Sequence, residues 1–187
     1  LIVQTDEALL SKIETKVENG ELVLTFTNPL LQFFILDDRD VHYFITVKDI
    51  EAVSINGTGS ITSSGIKADA LEISINGSGT VKLALNVEEF VARIAGSGTY
   101  ELTGIADRQI IHINGSGEYL GKGLVSNETG IRISGSGEVE VYVTEELNAE
   151  IRGNGHVRYI GDPFISNSSI SGTGSIRQVN QVESAIK

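Results

Sequence analysis

Apolar and polar residues alternate along the chain between residues 46 and 177, and the alternation recurs every 18 to 20 residues. Each recurrence has an isoleucine two positions before a glycine, while the positions three before and three after that glycine are polar. A period of two with β-branched residues on the apolar side is typical of strands that bury one face. The pattern therefore predicts strands throughout this segment. The isoleucines are Ile55, Ile75, Ile94, Ile113, Ile133, Ile151 and Ile170.

The glycine that follows each isoleucine begins a Gly-x-Gly tripeptide, which occurs seven times. These glycines stand at the same alternate positions as the inward apolar residues. We therefore expect them at a narrow corner where no side chain fits, or at a bend that needs a positive φ. The corner glycines are Gly57, Gly59, Gly77, Gly79, Gly96, Gly98, Gly115, Gly117, Gly135, Gly137, Gly153, Gly155, Gly172 and Gly174.

A repeat of about 19 residues that is mostly strand, with no helix-sized segment, is typical of a β-solenoid. We predict an all-β fold, a single-stranded right-handed parallel β-helix of about seven coils, its handedness following the usual preference of parallel crossovers. Apolar residues about six positions before the first glycine of each corner are expected to point inward as well. These residues are Ile50, Leu71, Phe90, Ile110 and Leu147.

The residues before the repeats have their own strand pattern. Alternating runs flank Asn19-Gly20, which predicts a hairpin, and two further strands are expected at Leu31–Leu36 and Val41–Val47 around the acidic turn Asp37–Asp40. An open solenoid end exposes unpaired backbone. We therefore expect one domain over residues 1–187: a hairpin and cap strands over 1–45, the coils over 46–177, and a polar tail over 178–187.

The composition of the chain excludes several classes of function. The chain of 187 residues has 14 basic and 25 acidic residues, a net charge of −11, and no cysteine. The charge argues against binding nucleic acid through a basic surface, and the missing cysteines exclude thiolate nucleophiles, disulfides and zinc–thiolate sites. No apolar run reaches the roughly 18 residues of a membrane helix. Because the chain has no methionine, we expect a signal or anchor segment to have preceded Leu1.

The residues that could suggest a cofactor or metal site do not match the known motifs of such sites. No Gly-x-Gly continues as a dinucleotide-binding motif, and no Asp stands where calcium-binding nonapeptide repeats need one. His42, His112 and His156 are isolated, and the Asp37–Asp40 turn is typical of a solvated loop. We predict no cofactor and no metal.

Two outward columns of charged residues are the remaining candidates for chemistry. Opposite charges are mixed along them, as on a solvated sheet face, and no pair of carboxylates has a catalytic spacing. We predict no catalytic residue. One column contains Arg93, His112 and Arg132; the other contains Lys82, Glu101, Glu140, Arg158 and Arg177.

The unit Ile-Asn-Gly-Ser-Gly, complete at Ile75–Gly79 and Ile113–Gly117, resembles the head GIN domain family, a bacterial family of "putative autotransporter adhesins" of otherwise unknown function. The variants at Ile55–Gly59, Ile133–Gly137 and Ile170–Gly174 look similar, so the resemblance covers nearly the whole chain. It implies a right-handed parallel β-helix that is exported to the bacterial cell envelope, whether periplasmic, lipid-anchored or extracellular. It implies no catalytic residues.

These observations favour a non-catalytic envelope or extracellular interaction module, adhesin-like, with a surface glycan or protein as its expected partner. One alternative is a carbohydrate-active enzyme of the polysaccharide lyase or esterase type, which would need converging carboxylates in a cleft. A second alternative is a self-assembling β-helix scaffold, which would need bare apolar end coils. Insertion of this segment into a membrane is not expected.

Overall fold

The computed structural model describes residues 1–28 and 41–180. The expected strand Leu31–Leu36, the acidic turn Asp37–Asp40 and the tail from residue 181 onward lie outside the described residues. The chain divides into two compact units, Leu1–Lys48 and Asp49–Lys187.

In residues 1–28 and 41–48, which the structure describes, the first unit contains four short strands and one helical turn. They are β1 (Ile2–Gln4), α1 (Glu7–Leu10), β2 (Ile13–Glu18), β3 (Glu21–Phe26) and β4 (His42–Phe44). β2 and β3 form an antiparallel hairpin, in which Asn19 and Gly20 both have positive φ, of 53° and 85°. Positive φ at both central residues is what a tight hairpin turn requires. β1 pairs antiparallel with β4. The helical turn α1 was not predicted from the sequence. That residues 1–45 cap the coils stays a prediction.

The second unit is a parallel β-solenoid of about seven coils, which confirms the predicted fold class. Each of its five long strands spans nearly a whole coil, from one Gly-x-Gly corner to the next. Every pairing in this unit is parallel, in the order β13-β11-β10-β9-β8-β7-β6-β5, with β12 also on β10. The strands are β5 (Ala52–Gly57), β6 (Ser60–Gly77), β7 (Thr80–Gly96), β8 (Thr99–Gly115), β9 (Glu118–Gly135), β10 (Glu138–Gly153), β11 (His156–Ile160), β12 (Phe164–Gly172) and β13 (Ser175–Gln178).

The coils stack in register, so that residues at equivalent positions form columns. Ile75 pairs with Ile94 and Ile94 with Ile113, and each is at most 2% exposed. Tyr100 and Tyr119 occupy the column four positions after the first glycine, fully buried, with their ring centroids 5.8 Å apart. The core is therefore a set of side-chain columns, and each coil covers the apolar residues of the next.

One inward position differs from the sequence prediction. Ile110 was expected inward, but Gln109 pairs with Phe90 and is fully buried, while Ile110 is half-buried on the outer side. Thr129 occupies the same column in the following coil. The prediction for Ile110 was wrong because apolarity does not decide which of two adjacent residues turns inward when the polar one finds buried partners.

Those partners form a continuous chain of hydrogen bonds inside the solenoid. The Tyr119 hydroxyl donates to Gln109 Oε1 at 2.5 Å, and Gln109 Nε2 donates to Ser126 Oγ at 2.7 Å. The hydroxyls of Ser126 and Thr129 share a further bond of 2.7 Å. Among the described residues, no buried side-chain nitrogen or oxygen lacks a partner. Satisfied polar groups are tolerated in a core, whereas unsatisfied ones are costly.

We predict that Gln109→Leu destabilises the fold by about 1–3 kcal/mol, because it leaves the Tyr119 hydroxyl buried without its acceptor. The double variant with Tyr119→Phe removes both partners, so its loss should be smaller than the sum of the two single losses. Urea denaturation of the three variants and the parent measures this coupling. Strictly additive losses would contradict the proposed bond between the two side chains.

Candidate functional site

The outward residues of the strand segments that lead into the glycine corners form one continuous face, which we call the charged face. Its central column runs through Arg93, His112, Arg132 and Glu150, which are neighbours in the register of β7 to β10. The structure thus places the predicted Arg93, His112 and Arg132 side by side. A parallel column of the same face contains Glu89, Arg108, Glu128 and Glu146.

Ion pairs link the coils across the charged face. Arg93 Nε donates to Glu72 Oε1 at 2.7 Å, and Arg132 Nε donates to Glu150 Oε2 at 3.1 Å. Glu150 also pairs with Arg152 at 2.6 Å. The arginines are about half to two-thirds exposed, so solvent screens these pairs and each contributes little to stability. Their main consequence is positional, since the pairs restrict where the long side chains can point.

Neighbouring charges and burial also set the protonation of this face. Hydrogen bonding from Arg132, with further contributions from Arg152, lowers the pKa of Glu150 and keeps that carboxylate ionised. Partial burial lowers the pKa of His112 below its usual 6.5; Arg93 and Arg132 lower it further, and Glu72 opposes them weakly. The central column therefore presents a neutral imidazole between two guanidinium groups at neutral pH.

Two small residues open shallow depressions in the charged face. Gly130 lies between Ile110 and Asn148 in its column, and the missing side chain leaves a depression of about 220 Å³. The walls of this depression include His112, Arg132 and Glu146.

A second depression of about 230 Å³ lies over Ala95, between Asn76 and Asn114. His112 lines both depressions, so they adjoin at the centre of the face. Together they offer amide, guanidinium, imidazole and carboxylate groups at an open surface. Such groups can form hydrogen bonds with hydroxyl groups or with peptide.

The other predicted charged column lies on the strand segments that follow the corners. Lys82 pairs with Glu101 at 2.7 Å, and Arg158 pairs with Glu138 at 2.9 Å and with Glu140 at 3.0 Å. Arg177 is the register neighbour of Arg158. The depressions described above do not include these residues, so we regard the charged face as the better candidate site.

The histidines do not converge. His156 Nδ1 is 2.9 Å from Ser175 Oγ, and His42 stacks loosely on Phe44 with ring centroids 6.5 Å apart. Over residues 1–28 and 41–180, no three histidine, aspartate or glutamate side chains are grouped as a metal ion would need. Within the same ranges, the structure has no helix of the length and apolarity that spanning a bilayer demands.

Sequence reasoning identified the charged columns but not the depressions. The sequence did contain a sign of these depressions, since Gly130 and Ala95 are small residues at outward positions where neighbouring coils have larger ones. Alternation alone does not reveal such gaps, because it separates inward from outward residues without comparing side-chain sizes between coils.

The model of a family described as "Putative auto-transporter adhesin, head GIN domain" matches residues 1–163. No curated protein matches the chain.

Solved structures with the same fold come from Bacteroides and Parabacteroides species. A "putative adhesin" from Bacteroides fragilis is 25% identical, with a TM-score of 0.81 over 94% of this chain and 83% of that one. A "putative lipid binding protein" from Parabacteroides distasonis is 27% identical, with a TM-score of 0.70 over 95% and 82%. A "putative adhesin" from Parabacteroides merdae, 21% identical with a TM-score of 0.71 over 95% and 82%, shares the fold.

We predict that His112 titrates below 6.5 and that Arg132→Gln raises its pKa, because removal of a neighbouring positive charge makes the imidazolium less unfavourable. An NMR titration of the imidazole resonances measures both values. Lys82→Gln, which removes a charge from the other outward column, serves as the control and should leave the His112 pKa unchanged. A His112 pKa at or above 6.5 would contradict the described environment.

Proposed function

The chain belongs to the head GIN domain family of "putative auto-transporter adhesins", and on that premise we propose that it is a non-catalytic, adhesin-like interaction module. It would act outside the cytoplasm, at the bacterial cell envelope or in the extracellular space. Its charged face would bind a surface glycan or a protein. The observation that carries this proposal is the charged face itself, an open surface whose hydrogen-bonding side chains are held in register.

Preorganisation is the physical reason why such a face suits recognition. Ordering a long side chain on binding costs about 0.5–1.5 kcal/mol, and the ion pairs to Glu72 and Glu150 already restrict Arg93 and Arg132 before a partner arrives. Parallel strands lie about 4.8 Å apart, so the coils hold Arg93, His112, Arg132 and Glu150 at regular intervals. An extended ligand could therefore meet a polar group at each step.

The arrangement of the acids supports binding over catalysis. A glycosidase-type enzyme needs one carboxyl group with a raised pKa beside a second carboxylate. Glu150 has a lowered pKa and two arginine partners, and Glu72 is bound to Arg93. These glutamates act as anchors for arginines, which favours an interaction surface.

The solved relatives agree with a role at a surface. The Bacteroides fragilis and Parabacteroides distasonis proteins are described as a "putative adhesin" and a "putative lipid binding protein", and both descriptions name a binding role. The mixed charges of the face favour a hydroxyl-rich or zwitterionic partner over a densely anionic one, because Glu72, Glu128, Glu146 and Glu150 would repel the latter.

We predict that the chain binds members of a microarray of host and bacterial surface glycans, and that the double variant His112→Ala, Arg132→Ala weakens the strongest signal at least tenfold. The reason is that His112 lines both depressions and Arg132 lines the one over Gly130. Lys82→Ala on the other outward column is the matched control and should bind like the parent.

Equal weakening by Lys82→Ala would contradict the assignment to the charged face. Absence of binding to glycans and to immobilised host-surface proteins, together with turnover of a polysaccharide by the parent, would contradict the proposed function as a whole.

A further inference from the structure

In the last coil that the structure describes, the interior of the solenoid is partly open. Ile170 of β12 continues the inward isoleucine column, yet it is 42% exposed, whereas Ile151 directly beneath it is fully buried. An exposed apolar residue in a core column is informative, because the isoleucines of the same column are buried in every coil from β6 to β10. Phe164, at the start of β12, is 72% exposed on the outer side, in the column of Glu146.

The backbone of this end is also open. β12 pairs with β10 along one edge, and among the described residues its other edge has no strand partner. Alternate peptide groups of such an edge point away from the sheet and can receive another strand. The one register shift in the pairing lies near Ser166, so Asn167–Gly172 keeps regular strand spacing.

The regular part of β12, Asn167–Gly172, has no residue that protects this edge. Natural sheets guard exposed edges with bulges, with charges, particularly lysine, or with proline. The outward residues of Asn167–Gly172 are Asn167, Ser169 and Ser171. In the coil beneath, two of the same three columns contain Glu150 and Arg152.

The charge of the last coil differs from that of the chain. Residues 156–180 contain Arg158 and Arg177 against Asp162 alone, a net charge of +1 with histidine neutral, in a chain of net charge −11. The large net negative charge of the whole chain opposes its association with a second copy, because like charges repel. At the last coil the net charge is small, so this repulsion is weaker there.

From these observations we propose that the open end formed by β12 and β13 is an interface between two copies of this chain. A two-fold axis normal to the sheet sets the two β12 strands antiparallel, pairs their open edges, and covers Ile170 of both copies. The proposal is independent of the proposed ligand. If both hold, the dimer carries two charged faces, which raises avidity for a multivalent surface.

The size of the end predicts a weak dimer. One side of a coil has about six residues and is about 20 Å long, so the end buries on the order of 400 Å² per copy, about half of a standard stable interface. We therefore expect association in the micromolar range.

Sedimentation velocity of the chain between about 1 and 300 µM tests the proposal. The parent should shift from monomer to dimer over this range. Ile170→Lys and Ser169→Lys, which place like charges opposite each other across the axis, should each stay monomeric with an unchanged circular dichroism spectrum. Ile105→Lys is the matched control: Ile105 is 58% exposed on the flank of the solenoid, and this variant should dimerise like the parent.

The other outcomes overturn the proposal. A parent that is monomeric at 300 µM contradicts it, and a chain truncated after Asn180 that dimerises where the parent does not would show that residues 181–187 occupy the end. Loss of the dimer in Ile105→Lys but not in Ile170→Lys would place the interface on the flank. Species that grow beyond a dimer would indicate head-to-tail stacking.

Discussion

The close approach of successive coils at the glycine corner is the constraint on which the rest of the solenoid depends. The amide that follows the first glycine of each corner donates to the carbonyl of the first glycine in the coil before, at 2.8 to 3.0 Å from Ser78 to Thr173. At Gly115, where φ is +127°, a Cβ would collide with the Gly96 carbonyl oxygen. The second glycine is restricted as well: a Cβ at Gly98 would lie 2.7 Å from Ile75 Cγ2. The corner thus ties backbone contact to core packing.

The corner sets the register between successive coils, and this register in turn produces the packed interior and the charged outer faces. Because each coil starts at the same corner, isoleucine stacks on isoleucine inside and charge stacks on charge outside. The outward columns then form ion pairs between coils, such as Arg93 with Glu72. A protein built in this way presents ordered faces in place of a deep pocket. The proposed recognition of a partner by the charged face suits such an architecture.

The sequence was sufficient for the columns because the repeat is nearly invariant next to the glycines. It was insufficient farther from them, where steps of 18 to 20 residues must be absorbed by bulges. There, Gln109 turns inward in place of Ile110, since Tyr119 and Ser126 in neighbouring parts of the coils supply its hydrogen bonds. The depressions over Gly130 and Ala95 and the exposure of Ile170 were equally hidden. Each depends on what the adjacent coil provides, and alternation along one strand does not report that.

The most direct test of the account compares alanine at a corner glycine with alanine at a glycine away from the corner. Gly115→Ala should lower the free energy of unfolding by about 2–4 kcal/mol in urea denaturation, since it combines an unfavourable φ with a backbone collision. Gly130→Ala, whose Cβ would meet nothing nearer than 4.0 Å, should leave stability unchanged or slightly increased. Equal stabilities for the two variants would contradict the claim that the corner contact holds the coils in register.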